Sequence, residues 1–289
     1  MIYREIPGTN MNVSVLGYGG WGAGIKGWRN VSEKKVCESI ITAYKKGINF
    51  FDTAPIYGNG KSEELLGNEL SQFRDKIFIA SKCGLIQHEN GFVEHSLDPD
   101  SIRCEIEKTL NRLKTDHIDL YQIHFPDKKT PLDKVFYTMQ KLQQEKLIRY
   151  FGVSNFSLEL LKETESAGYV SVQNRFNIFQ HEEAEKVLKY CNEKKLGFIA
   201  YSPLCQGIFS KSVDINFKPS TRDVRHLNPI FCDDKLFNNA LSERNKMKNP
   251  LKEALSFVIN TQGVTTCLVT MTRPEHVKEN VALTENDKN

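Results

Sequence analysis

The stretch from Asp98 to His124 reads DPDSIRCEIEKTLNRLKTDHIDLYQIH, and its two halves follow different periods. Asp98 stands as a capping residue before Pro99 at a first helical position. Ile102, Ile106, Leu110 and Leu113 then step by 4, 4 and 3, which predicts a helix with one buried stripe. Ile118 to Ile123 is a short apolar run of the kind that forms a strand buried on both faces. It runs straight into His124.

The alternation continues in both directions. Short apolar runs recur at Ile48 to Phe51, Ile77 to Ala80, Tyr150 to Val153, Val170 to Val172, Phe198 to Tyr201 and Val264 to Val269. Between them lie helical spacings such as Val36, Ile40, Ala43 and Val135, Met139, Leu142 and Ala184, Val187, Leu188, Cys191. Ser62 before Glu63 and Glu64, and Asn155 to Ser157 before Glu159, are read as further helix starts with acids in the first turn. Strands joined through helices pair in parallel with right-handed crossovers. An eighth strand fits the run from Val13 through Leu16 to Gly17, and the turn signal Pro7-Gly8-Thr9-Asn10 ahead of it predicts an N-terminal β-hairpin. The expected fold is α/β, a (β/α)8 TIM barrel forming one domain over 1–289; a doubly wound open sheet is the alternative. The alternation lapses from Leu204 to about Lys248, which is read as a long loop over the active face.

Composition narrows the function classes. The 289 residues are 39% hydrophobic and 26% charged with a net charge of +3, which excludes collagen-like and disordered chains and leaves no nucleic-acid footprint. No apolar run suits a membrane span, and the start MIYREIPGTN does not suit a signal peptide. The seven cysteines form no CxxC pair, so a reducing, cytoplasmic setting is expected, and Asn30-Val31-Ser32 is read as a chance match to the glycosylation pattern.

In a barrel, chemistry gathers at the C-terminal ends of strands. Those ends carry Asp52, Lys82 and His124, and Tyr57 follows Asp52 in the next loop. A Tyr hydroxyl is a weak acid; a Lys ammonium beside it favours phenolate, an Asp holds the Lys, and a His donates to a carbonyl. That set can protonate a carbonyl oxygen as hydride reaches carbon, and the hydride must come from a cofactor. A purely structural Asp52–Lys82 pair is the competing reading. Gly17-x-Gly19-x-x-Gly22 matches the dinucleotide fingerprint in form only, because no helix pattern begins until about Ser32. Cys83 is read as a packed thiol, His88, Glu94 and His95 as a solvated loop without a metal, and His117 as structural.

Eight segments, in order and nearly end to end, carry a resemblance: Gly17 to Gly22, Phe51 to Gly58, Ala80 to Lys82, Tyr121 to His124, Gly152 to Asn155, Gln173 to Asn177, Ala200 to Leu204, and Glu279-Asn280. The chain resembles the aldo-keto reductase family, NAD(P)H-dependent reductases on a (β/α)8 barrel, and looks closest to its bacterial and channel-subunit-like branches. The resemblance implies Tyr57 as general acid, Asp52 and Lys82 as the pair that tunes it, and His124 as the residue orienting the carbonyl. It implies that Ser154, Asn155 and Gln173 bond the nicotinamide carboxamide and that Tyr201 stacks on the ring. Ser202, Pro203, Leu204, Gln206 and Gly207 belong to the segment covering the pyrophosphate. Gly20 and Trp21 stand beside the cofactor, with Trp21, Tyr57 and His124 also facing substrate. Thr270, Met271, Thr272, Arg273 and His276, with Glu279 and Asn280 beyond, stand at the adenosine 2′-phosphate end.

This sequence departs from the family where relatives carry more basic residues, at Thr270 and His276, and has Phe176 where a Tyr is common. NADP (as NADPH) is therefore expected, with NAD as the alternative, and Arg273 as the phosphate anchor. Nine residues follow Asn280, too few for a long closing loop. Selectivity then falls on Trp21, Ile25 to Trp28 with Arg29 beside them, Ile86 to Glu94, and Leu204 to Lys248. Lys26, Trp28, Gln87 and Gln206 suggest a hydroxylated aldehyde or keto-sugar as the small-molecule carbonyl substrate. The competing functions are an NADP(H)-binding regulatory subunit with little turnover, and a barrel isomerase or hydrolase using Asp52 and His124.

Overall fold

Period-two alternation in short strands decides which side chains enter the barrel and which face the helices. The computed structural model describes residues 1–28, 31–127, 129–210, 213–221 and 223–285; Arg29, the Asn30 pattern and residues 211, 212 and 222 of the long segment lie outside these. In chain order the strands are β1 (Tyr3–Glu5), β2 (Asn12–Ser14), β3 (Leu16–Gly19), β4 (Phe50–Asp52), β5 (Phe78–Cys83), β6 (Leu85–Gln87), β7 (Val93–His95), β8 (Ile118–Ile123), β9 (Ile148–Ser154), β10 (Ser171–Arg175), β11 (Gly197–Tyr201) and β12 (Val264–Val269). Eight of them close a parallel barrel in the order β3-β4-β5-β8-β9-β10-β11-β12, while β1-β2 and β6-β7 are separate antiparallel hairpins. The expected barrel with its N-terminal hairpin is the observed fold.

Two apolar layers hold it together. Outside the strands, side chains such as Ile79, Tyr121 and Val153 pack against Ile102, Ile106 and Met139 of the helices. Inside, Phe50, Ala80, Leu120, Ile199 and Leu268 meet Ile6, Met11 and Val13, so the hairpin plugs the lower end of the barrel. Burial of such side chains contributes about 1.5–3 kcal/mol each. Two caps are as expected: Asp98 accepts from the Asp100 amide and Ser157 from the Leu160 amide.

Three expectations differ in detail. The run from Val13 to Gly17 is two strands. Val15 donates its N–H to Ile2 O and accepts from Cys267, so the chain passes from hairpin to barrel at that residue. Ser62 is not a cap: the helix Lys61–Leu70 starts after Gly60, whose φ is 88°. Ser62 lies buried in the first turn, where its hydroxyl donates to Gly20 O. The segment from Leu204 to Lys248 is not a structureless loop either, since it contains the helices Pro229–Cys232 and Asp234–Asn245. Only Phe237, Ala240 and Leu241 of the longer one are buried, a stripe too narrow to give a strong period.

The helix Lys61–Leu70 is keyed to its neighbours by Glu63, whose buried carboxylate accepts from Ser81 Oγ at 2.7 Å, Thr109 Oγ1 at 3.0 Å and Arg112 Nε at 2.6 Å. Arg112→Met should cost about 3–5 kcal/mol, because it leaves a buried carboxylate without its cation. Denaturant unfolding measures this, and a loss under about 1 kcal/mol would mean that the two hydroxyls alone satisfy Glu63.

Candidate functional site

Asp52, Lys82 and Gln122 share the inward side of their strands with Phe50, Ala80 and Leu120, one pleat nearer the mouth. The register pairs Asp52 with Ala80 and Lys82 with Gln122. Lys82 is fully buried and Asp52 nearly so. The Lys82 ammonium donates to Asp52 Oδ1 at 2.6 Å, Thr53 O at 2.9 Å and Tyr57 Oη at 3.4 Å. The His124 ring stands edge-on to the Tyr57 ring, 5.9 Å between centroids at 86°. The four residues expected to meet do meet.

The electrostatics follow from burial. Burial works against the Lys82 ammonium, but Asp52 and Tyr57 outweigh it and hold its pKa above the usual value. Burial pushes the Tyr57 phenol up, and the pull of Lys82 only partly offsets this. The expected lowering of Tyr57 is thus a contribution and not the net result: the phenol keeps its proton. Burial, then the Lys82 charge, then His95, hold His124 far below the ordinary histidine range, so its imidazole is neutral.

Close backbone contact places Tyr57. The residues after β3 form a 3-10 turn, Gly20–Gly24, and the next helix begins only at Glu33. These glycines therefore serve packing, not a helix-borne phosphate site. A Cβ on Gly24 would lie 2.6 Å from the Gly58 N and from the Tyr57 carbonyl carbon, and one on Gly20 would lie 2.6 Å from Asp52 O. Ser62 clamps the same seam, donating to Gly20 O and accepting from Thr53 Oγ1, both at 2.8 Å.

Around the rim, Asn155 has φ 61°, a left-handed conformation that Asn tolerates. Its amide is engaged: Nδ2 donates to His124 O at 2.9 Å and Ser154 Oγ at 3.0 Å, and Oδ1 accepts from Tyr201 Oη at 2.7 Å. Ser154 Oγ donates to Gln173 O. Gln173 turns its Nε2 inward, to Asp52 Oδ2 at 2.8 Å and Gln122 Oε1 at 3.2 Å. Among the described residues no hydrogen bond uses Gln173 Oε1. Past β11, Ser202, Cys205 and Gln206 all take positive φ, with Gly207 following; such strain gathers where a backbone must meet a ligand. Pro203 is buried beneath this turn, Leu204 is partly exposed, and Gln206 Nε2 donates to Ser202 Oγ.

After β12, Thr270 and Thr272 turn their methyls toward Gly22. The Met271 side chain is fully buried, and its carbonyl accepts from Tyr18 Oη and Ser39 Oγ. Arg273 and Glu279 are exposed and Asn280 is buried on the helix Pro274–Glu285. Burial, with Arg273 nearby, lowers the pKa of His276. Trp21 packs edge-on to Trp28, 5.1 Å apart.

Three further contributors are not among the expected site residues. Gln122 was visible as the polar residue on an otherwise apolar inward face, and Ser62 as a helix-start residue that turned out to bond elsewhere. The third is Arg225. It is paired with Asp223 through Nε at 2.9 Å and Nη2 at 2.7 Å, and it lies against the rings of Trp28 and Phe217. Val224 N donates to Gly27 O, so the segment after β11 is pinned to the loop after β3 across the mouth. Cys83 is a buried thiol. The stretch read as a solvated loop is the β6–β7 hairpin, in which His88 pairs with Glu94 at 2.9 Å. No metal-binding cluster occurs among the described residues.

The model of the Aldo/keto reductase family matches residues 15–288. The aldo-keto reductase YhdN of Bacillus subtilis is 34% identical over 86% of this chain and 75% of its own length. The NADH-specific methylglyoxal reductase of Escherichia coli is 27% identical over 96% of this chain and 93% of its own. The solved glycerol dehydrogenase of Gluconobacter oxydans superposes with a TM-score of 0.86 at 30% identity, covering 97% of this chain and 89% of that one.

His117, partly exposed, and His124, buried, differ in a measurable way. His117 bonds Asp116 at 2.6 Å and lies beside Asp119, which raises its pKa, whereas that of His124 is lowered. Imidazole NMR should show His117 gaining its proton first as pH falls and His124 still neutral below pH 6.5. A His124 that titrates before His117 would contradict the site electrostatics.

Proposed function

The chain belongs to the aldo/keto reductase family, and from that premise we propose that it reduces small aldehydes or ketones to alcohols, with Tyr57 as the proton donor. It is an oxidoreductase of a family that acts on carbonyl compounds with nicotinamide cofactors. One observation carries the finer reading: a single buried ammonium, Lys82, touches both the Asp52 carboxylate and the Tyr57 hydroxyl. A purely binding subunit has no need of that alignment, so the regulatory alternative is not favoured.

The chain's residues fit a nicotinamide. Gln173 keeps Oε1 free for a carboxamide N–H, and the half-buried ring of Tyr201 lies at the same rim. Asn155 and Ser154 hold those two groups and His124 in place through the bonds described above. The turn from Ser202 to Gly207 offers its strained backbone to a pyrophosphate. The cofactor, when bound, supplies the hydride. On the protein side, neutral His124 orients the substrate carbonyl and Tyr57 gives its proton to the carbonyl oxygen. Lys82 stabilises the phenolate left behind, and Asp52 holds Lys82. Activity should therefore fall on the alkaline side, as Tyr57 loses its proton above the ordinary tyrosine pKa.

NADPH is the proposed preference, anchored by Arg273. His276 is neutral at pH 7 and adds no charge, so discrimination against NADH should be modest. Trp21, Phe125 and the β6–β7 hairpin are proposed to wall the substrate pocket. A small oxygen-rich carbonyl compound, extending to hydroxylated aldehydes and keto-sugars, is the proposed class. The names of the methylglyoxal reductase and glycerol dehydrogenase relatives support it. We place the protein in the cytoplasm as a single barrel domain, a reading supported by its seven free cysteines. Among the described residues no helix is long and apolar enough to cross a membrane.

Tyr57→Phe should lower kcat for methylglyoxal by about 10²–10⁴-fold with little change in cofactor Kd, since the lost hydroxyl acts only in the transition state. Unchanged turnover would remove Tyr57 from the reaction. Fluorescence titration should find that Arg273→Ala weakens NADPH by roughly ten- to hundredfold and NADH far less. Equal weakening of both would place the 2′-phosphate elsewhere.

A further inference from the structure

Gln122 is fully buried on the inward side of β8, level with Lys82 on β5 and Gly152 on β9. Gly152 lies directly beside it: a Cβ there would collide with Ser171 Oγ at 2.4 Å and would touch Gln122 Cγ at 3.4 Å. Gln122 Nε2 donates to Asp52 Oδ2 at 3.2 Å, and Gln122 Oε1 accepts from Gln173 Nε2 at 3.2 Å. Gln173 Nε2 also donates to Asp52 Oδ2 at 2.8 Å, which closes a triangle of two amides and one carboxylate. We propose that Gln122 is a positioning residue for carbonyl reduction, locking Asp52 and Gln173 into one unit so that Lys82 stays aimed at Tyr57. This rests on the reductase reading given above.

The geometry makes Asp52 a carboxylate tied on both sides. Oδ2 is held by the two amides and Oδ1 by the ammonium. The side-chain torsion that turns a carboxylate is soft, so without the amides Asp52 is free to swing. Lys82 has three bonds, and the one to Tyr57 is the longest, at 3.4 Å against 2.6 and 2.9 Å. It is therefore the first to be lost when Asp52 moves. Gln122 touches none of the reacting groups; it acts through Asp52. Its link to Gln173 joins the residue proposed to meet the nicotinamide to the pair that tunes the acid. The charged and titratable groups around it are Asp52 on β4, Lys82 on β5, Tyr57 on the loop after β4, His124 past β8 and Tyr201 on β11.

Two variants test this, with methylglyoxal as substrate and NADPH and NADH each as cofactor. Gln122→Met keeps the volume and removes both bonds. It should lower kcat about tenfold while the NADPH Kd, read by fluorescence, changes by less than about threefold. Its alkaline limb should move to higher pH, because Lys82 lowers the Tyr57 pKa and would be less well aimed. A merely structural amide would lower the melting temperature without moving that limb. Gln122→Glu is isosteric and decides the matter if the Met variant does not fold. In its protonated form it donates to Asp52 as the amide did. Activity should thus be near wild type at the acid end and fall with rising pH as the new carboxyl ionises, over a range where the wild type is flat. A Met variant with wild-type kcat and an unmoved limb, or a Glu variant with a wild-type profile, would overturn the role of Gln122 alone. A wild-type protein that binds neither cofactor or reduces no carbonyl would overturn the reductase reading and this inference together.

Discussion

The ion pair of Lys82 and Asp52 sets the terms for everything around it. Two charges removed from water are costly unless every remaining donor and acceptor is met. The barrel meets them in all directions. Thr53 supplies a carbonyl and Tyr57 a hydroxyl to the ammonium, while Gln122 and Gln173 supply N–H groups to the carboxylate. Because those partners come from separate strands and one loop, the pair is formed correctly only when β4, β5, β8 and β10 are all in register. Fold and site are thus one hydrogen-bonded object at the level of these side chains.

The same constraint explains the seam between the loops after β3 and β4. Tyr57 must reach back over the mouth to Lys82, so its loop runs hard against the turn Gly20–Gly24. Glycine on both sides of the contact lets the two backbones touch, and Ser62 bridges them from beneath. Neither loop is held by a conventional cap: Gly60 precedes its helix in a left-handed conformation with no side-chain bond. Local capping rules are overridden here by tertiary contact.

Much of this is legible in the sequence. Ile118 to Ile123 and Val264 to Val269 were readable to the residue, because a strand buried on both faces is a plain apolar run. Asp52, Lys82 and His124 stood out as polar groups where such runs end. Val15 was not legible, since a chain passing from one sheet to another leaves no break in apolar pattern. The helix Asp234–Asn245 was missed because its buried stripe is narrow. The inward turn of Gln173 and the engagement of Asn155 depend on neighbours from other strands, which no local pattern reports.

The hairpin under the barrel has one more consequence. Ile6, Met11 and Val13 seal the lower end, and Phe50, Ala80, Leu120, Ile199 and Leu268 fill the space above them, so the barrel is solid beneath Asp52 and Lys82. Anything that reaches those two residues must come from the mouth, and that direction is fixed in part by a hairpin at the far end of the molecule.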